Sequence, residues 1–165
     1  MNWEAVGAVA DSIGAAGVII SLIYLAVQIR SQVQDNRITS QNDIAQQLNS
    51  TYGDIASDSE LAAIFDRGIH NFESLEHVEL IRFSMYMNRW FRIIEVLLTH
   101  YQRGRVEESF WSGIDVGMRE LCKYPGVQTW WKNRQNIFSE AMRKYVESVT
   151  SSEDPPRFFE YKWSR

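Results

Sequence analysis

The sequence predicts an all-α protein in which one apolar N-terminal helix crosses a membrane and continues into a cytoplasmic bundle of about five helices. Three observations predict this fold class. No residue between positions 13 and 27 is charged, and apolar residues further along recur at helical spacings of three and four. No stretch alternates with a period of two for long enough to indicate a β-strand. With 45% hydrophobic and 23% charged residues, the chain is not a disordered one.

The uncharged N-terminal stretch is long enough to cross a bilayer once its flanks are included. Residues 6–29 would form a helix of about 36 Å, which exceeds the hydrocarbon core of a membrane. Asp11 would then lie near the interface, where a carboxylate reaches water, and Trp3 would be an interfacial aromatic residue. A cleaved signal peptide is the alternative. The residues before the apolar run contain Glu4 and neither Lys nor Arg, which favours a retained anchor.

Charge on the two flanks of this segment predicts its orientation. Arg30 and Arg37 follow the apolar run, and no Lys or Arg precedes it. The positive-inside rule therefore places the N-terminus outside and the rest of the chain in the cytoplasm. We expect Trp3, Arg30 and Arg37 to contact lipid. A single Cys agrees with a reducing compartment, and the net charge of -4 argues against nucleic acid as a partner.

Small and polar residues form a regular pattern within the predicted span. They recur at alternating spacings of three and four residues, and we call this set the seam: Gly7, Ala10, Gly14, Gly17, Ser21, Tyr24 and Gln28. Membrane helices pair where small residues let their backbones approach closely. The seam therefore predicts a homo-oligomer, with Gly7, Ala10, Gly14, Gly17 and Ser21 at the interface. The alternative is chance, since Gly and Ala are common in membrane spans.

The remainder of the chain reads as a helical domain. Residues 31–42 are almost wholly polar and indicate a solvated neck. Beyond this neck, capping residues and glycines divide the chain into predicted helices, with Ser57 and Glu60 beginning a short helix that stops near Gly68. Ser74 is expected to cap the next helix, with Gly104 as its C-terminal glycine, and Ser139 is expected to cap the last helix. The later helices are predicted at residues 74–103, 107–122, 126–138 and 140–149.

The helix predicted at residues 74–103 should be the central one. Large apolar residues recur along one side of it and predict the core: Phe83, Met87, Trp90, Ile94, Leu97 and Tyr101. Arginines occupy the opposite side: Arg82, Arg89, Arg92 and Arg103. They indicate a solvated face paired with acidic residues, or else a surface for anionic headgroups.

The C-terminal segment differs from the rest. Asp154-Pro155-Pro156 stops any helix, and four aromatic residues follow it closely. We expect this aromatic tail to dock onto its own bundle, onto another copy or onto the membrane interface. The predicted organisation is therefore an anchor at 1–30, a bundle at 31–150 and a tail at 151–165.

No motif in the chain indicates a particular chemistry. The nucleotide-binding and serine-hydrolase glycine motifs are missing, and no metal-binding cluster is evident. His70, His77 and His100 read as exposed or capping residues, although Glu73 and His77 could share a helix face. Cys122 reads as a buried packing residue near a helix end. The sequence thus predicts no catalytic, cofactor-binding or metal-binding residue, and no cofactor.

Two segments resemble a known family. They are LIYLAVQIR at residues 22–30 and a C-terminal block that begins YPGVQ at Tyr124 and continues through Trp130-Trp131 to Tyr145-Val146. Over most of its length the chain resembles a family of uncharacterised bacterial single-span membrane proteins. The resemblance implies a bacterial inner-membrane protein with a Gly-rich span and a cytoplasmic helical domain. It implies no particular catalytic activity.

These observations predict a non-enzymatic, self-associating membrane scaffold or accessory subunit. Its expected partners are itself and membrane lipid, with another membrane protein as a further candidate. Two other classes stay open. One is a small homo-oligomeric pore whose lumen Asp11, Ser21 and Gln28 would line. The other is an enzyme that acts on a membrane-adjacent substrate through an aromatic pocket in the bundle, which would require several polar groups in that pocket.

Overall fold

A computed structural model describes the backbone of residues 3–150. It also describes the surroundings of residue 14 and of residues 17–150, including their side chains where they have one. This described part is all-helical, without a β-strand, which confirms the all-α part of the prediction. The aromatic tail, and the prediction that it docks, lie outside the described residues. The helices are α1 (Trp3–Ser57), α2 (Ser59–His70), α3 (His77–Gln102), α4 (Glu108–Cys122), α5 (Pro125–Arg134) and α6 (Glu140–Thr150).

The chain divides into two compact units, Met1–Ser40 and Gln41–Arg165. In the first unit, α1 is a single continuous helix, and every described side chain from residue 17 to 39 is exposed. The second unit contains the last turns of α1, the helices α2 to α6, and an extensive apolar core. The sequence predicted that the N-terminal helix continues into the bundle, and α1 runs without a break through Gly53 to Ser57.

The boundary between α1 and α2 corrects one predicted cap. Asp58, with an extended backbone, is the N-cap of α2, and its Oδ1 accepts from the amides of Glu60 and Leu61, each at 3.0 Å. Ser57 instead donates its hydroxyl to the Gly53 carbonyl at 2.7 Å, within α1. The carboxylate accepts from two amides that have no partner within the helix, which explains why it takes the cap.

The central helix α3 begins two residues later than predicted from Ser74. Glu76 is the N-cap, and its side chain and that of Glu79 form a reciprocal capping box. Ser74 belongs to a preceding 3-10 turn, Phe72–Ser74. The predicted C-terminal glycine is confirmed, since Gly104 has φ of +64°, a conformation that favours Gly.

The predicted core of α3 is confirmed at all but its last position. Five of its residues are buried: Phe83, Met87, Trp90, Ile94 and Leu97. Tyr101 is only partly buried, and its ring stacks on Trp111 of α4 with centroids 5.0 Å apart. Helix α2 packs against α3 and α5, and α4 packs against α3, α5 and α6. The largest fully buried side chain is Trp130 of α5.

The last two helices follow the sequence prediction with one difference. Pro125 occupies the first turn of α5, where its missing amide leaves no hydrogen bond unmade. Helix α5 ends at Arg134 and is followed by a 3-10 turn, Gln135–Ile137, rather than continuing to residue 138. Ser139 caps α6 as predicted, because its hydroxyl accepts from the Met142 amide at 3.3 Å.

Candidate functional site

The most unusual surface of the described residues is the apolar part of α1. Each large apolar side chain in this segment is more than half exposed: Val18, Ile19, Ile20, Leu22, Ile23, Tyr24, Leu25, Val27 and Ile29. By length and composition, α1 is the one helix in the described part of the chain that could cross a membrane, and none of its apolar window is buried. A signal sequence would satisfy the same test. The structure therefore shows an exposed apolar helix that is long enough to cross a membrane.

Part of the predicted seam lies within the described side chains. A Cβ atom built on Gly14 or on Gly17 would meet no atom within 4 Å, so both positions are open. The Ser21 hydroxyl donates to the Gly17 carbonyl at 2.8 Å, which satisfies that proton inside the helix. The side chains at Gly7, Ala10 and Trp3 lie outside the described set. The empty space beside Gly14 and Gly17 leaves room for another helix to approach. The Ser21 hydroxyl needs no hydrogen-bond acceptor from that second helix.

The arginines predicted to contact lipid lie just beyond the apolar segment. Arg30 and Arg37 are both exposed, and neither takes part in an ion pair among the described residues. The arginines of α3 behave differently. Arg82 pairs with Asp58 at 2.8 Å and with Glu60 at 2.7 Å, and Arg89 pairs with Asp54. These pairs agree with the solvated, paired face that the sequence suggested for α3.

The second unit contains an apolar pocket with a volume of about 90 Å³. Its walls come from the last turns of α1 and from α2, α3 and α4. The lining residues are Tyr52, Ile55, Phe65, Tyr86, Trp90, Gly117 and Leu121. None of these is charged, and the hydroxyls of the two tyrosines and the indole N–H are the polar side-chain groups present. The arrangement suits an apolar occupant.

The side chains that could bind a metal ion or act as nucleophiles do not come together in one place among the described residues. No group of three His, Cys, Asp or Glu side chains that could hold a metal ion occurs among the described residues. Glu73 lies in the 3-10 turn while His77 begins α3, so the two do not share the helix face that their spacing of four residues would have allowed. His100 is half-buried rather than exposed, and its Nδ1 has no partner among the described residues.

Cys122 is buried as predicted, with 1% of its surface exposed. Burial raises the pKa of its thiol to about 12, because a thiolate would lose its hydration there. The thiol is therefore protonated and unreactive at neutral pH.

The pocket could not be found from the sequence, for a physical reason. Its walls come from four helices, and each contributes residues that the helical periodicity assigns equally well to a filled core. Tyr86 and Trp90 share one face of α3, and Gly117 and Leu121 share one face of α4. The one available signal was Gly117 in the middle of a helix, where Gly is disfavoured. Which helices meet at that glycine depends on tertiary packing.

No family model, curated protein or solved structure matches this chain. The class of protein therefore has to be inferred from the exposed apolar helix and from the bundle.

Proposed function

We propose that this chain is a membrane-anchored helical protein that self-associates through its span and presents its bundle in the bacterial cytoplasm as a scaffold or accessory subunit. It has no catalytic activity of its own in this proposal. The observation that carries the proposal is the exposed apolar surface of α1 between Val18 and Ile29.

That surface is far too apolar for water. Each large apolar side chain that leaves water gains about 1.5–3 kcal/mol, and the segment carries a continuous band of such side chains. In a bilayer they face acyl chains, and the helix satisfies its own backbone hydrogen bonds, as a membrane requires. The bundle does not need these residues for folding, because it has its own core from Ile44 to Val149.

The orientation rests on the arginines. Arg30 and Arg37 are exposed after the apolar segment, where they meet anionic headgroups of the cytoplasmic leaflet, each contributing about 1 kcal/mol. Trp3 lies at the other end of the predicted span as an interfacial aromatic residue. The N-terminus is outside and the bundle is inside.

Self-association rests on the seam. The open space at Gly14 and Gly17 lets a second helix approach closely at those positions. The Ser21 proton is already bonded within the helix, so a dry contact leaves no donor unpaired there. These features support a helix–helix contact between copies rather than a water-filled lumen.

Crosslinking in native membranes tests this proposal. Gly14→Leu/Gly17→Leu should convert the crosslinked oligomer to monomer, because the added side chains hold the backbones apart. Ala15→Leu/Ala16→Leu adds the same kind of side chain off the seam and should leave the oligomer unchanged. An identical oligomer for wild type and Gly14→Leu/Gly17→Leu would exclude the seam as the interface. A conductance that responds to Asp11→Asn in reconstituted protein would instead identify a pore.

A further inference from the structure

The pocket between the last turns of α1 and helices α2, α3 and α4 is too large for a packing defect. At about 90 Å³ it exceeds the roughly 10–15 Å³ that one water molecule requires. It is smaller than the engineered apolar cavity of about 150 Å³ that binds benzene, so a single ring is the largest group that it accepts. Tyr52, one of the lining residues, is half exposed, so the pocket is not sealed from solvent. A small molecule can therefore both enter and fit.

Two of the three polar side-chain groups in the pocket lining already have a hydrogen-bond partner within the protein. The Tyr86 hydroxyl donates to the Thr51 carbonyl at 3.0 Å, and the Trp90 indole N–H contacts the Met118 sulfur at 3.1 Å. Among the described residues, the Tyr52 hydroxyl has no such partner. Water inside would lack the two to four polar partners that hold buried water in place. A charged ligand would lose its hydration without a counter-ion.

The aromatic rings in the wall favour a flat aromatic occupant. Tyr52 meets Trp90 edge to face with centroids 5.1 Å apart, and Phe65 meets Tyr86 in the same way at 5.5 Å. A further ring inserted between these pairs gains edge-to-face contacts with them. The volume excludes a helix or a strand of another protein.

We propose that this pocket binds a small, neutral, single-ring aromatic molecule with one hydrogen-bonding group, which the Tyr52 hydroxyl meets at the rim. Tyr52 and Ile55 belong to α1, and the remaining lining residues belong to α2, α3 and α4. An occupant therefore joins the end of α1 to the bundle and stabilises that junction. This site is independent of the self-association proposed above.

Two glycines on α4 provide a matched pair of variants. Gly117 lines the pocket, whereas the exposed Gly113 lies one turn earlier and does not, and a Cβ at either position meets nothing within 4 Å. Gly117→Leu fills the pocket and Gly113→Leu does not. Gly117→Ala adds a single methyl group and should give an intermediate effect. Circular dichroism of each variant confirms that the helices remain folded.

The experiment measures binding of 4-fluorophenol by fluorine NMR to the full-length chain in lipid nanodiscs, with empty nanodiscs as the blank. We expect saturable binding to wild type, an affinity at least about tenfold lower for Gly117→Leu, and a change within about twofold for Gly113→Leu. Tyr52→Phe should abolish the preference for 4-fluorophenol over fluorobenzene.

Three results would overturn the proposal. One is binding no greater than that of empty nanodiscs, and another is equal binding by Gly117→Leu and wild type. The third is binding that appears only in Phe158→Ala/Phe159→Ala, which would identify a ring of the chain's own tail as the occupant.

Discussion

Glu95 is the charged side chain most deeply placed in the described core, with 8% of its surface exposed. Its Oε1 accepts from the Ser139 amide at 2.6 Å, and its Oε2 pairs with Arg92. Arg92 also donates to the Ile137 carbonyl at 3.1 Å. Burial acts to raise the pKa of Glu95, but the hydrogen bonds from Ser139 and the charge of Arg92 outweigh it, so the pKa is lowered. The carboxylate thus fastens the connection between α5 and α6 to α3.

Glu95→Gln should lower the free energy of unfolding by about 1–3 kcal/mol at neutral pH, because it removes the negative charge that strengthens the hydrogen bond from the Ser139 amide and pairs with Arg92. Since the folded pKa lies below the ordinary value of 4.5, the contribution of the ionised carboxylate is complete above that pH. It is lost as the pH falls through the folded pKa. Chemical unfolding of both proteins as a function of pH measures the difference.

The control for that substitution is Glu147→Gln, at an exposed position on α6, which should change stability by less than about 0.5 kcal/mol. A difference between wild type and Glu95→Gln that is equally large at pH 7 and at strongly acidic pH would show that the charge is not responsible.

The residues that cap or end a helix were predictable from sequence where no neighbouring residue could take the same role. Gly104 and Ser139 are of this kind, and both end or begin a helix as predicted. Asp58 was not, because the adjacent Ser57 is an equally good cap by residue type. The choice between them depends on α1 continuing through Ser57, whose hydroxyl bonds to that helix.

At the scale of the helices, α2 and α5 approach each other through backbone. A Cβ atom on Gly126 would overlap the Gly68 carbonyl oxygen and lie 2.7 Å from that of Ile69. A Cβ on Gly68 would in turn overlap the ring of Phe83 on α3. Beside this contact, the rings of His70 and Tyr124 meet edge to face at 5.2 Å. The two glycines therefore allow α2 to pack closely against both α3 and α5.

Gly126→Ala should destabilise the bundle by about 3 kcal/mol, at the upper end for overpacking. The added methyl group would clash with backbone carbonyls of α2, which cannot move aside as a flexible side chain can. Gly113→Ala is the control, since its Cβ meets nothing and Ala is favoured over Gly within a helix by about 1 kcal/mol. Thermal unfolding followed by circular dichroism measures both. A melting temperature of Gly126→Ala equal to or above that of Gly113→Ala would contradict the close contact between α2 and α5.

The existence and order of the helices were predictable because each has its own periodic apolar face and end signals. Helix α6 begins at Glu140 and α4 ends at Cys122, as the sequence indicated. The end of α5 was not predictable, because no Gly or Pro marks the change to a 3-10 turn at Gln135. The Gly126 contact and the apolar pocket were not predictable either, since both depend on which helices become neighbours.

At the scale of the whole molecule, the two units have different kinds of surface. The described part of the second unit buries its large apolar residues in a core and pairs five of its arginines with acidic side chains. The first unit exposes apolar side chains around the helix from Val18 to Ile29. Sequence and structure agree on this contrast. The bilayer, the orientation and the oligomer are proposals, because they concern molecules other than this chain.

Cysteine labelling in intact bacterial cells tests the membrane topology most directly. Cys122 is buried and protonated, so the wild-type chain should not react with the maleimide and serves as the control. Asn2→Cys should react with a membrane-impermeant maleimide in intact cells, whereas the exposed position in Asn136→Cys should react only after lysis. Labelling of Asn136→Cys in intact cells, or no label on Asn2→Cys before or after lysis, would contradict a retained span with its bundle in the cytoplasm.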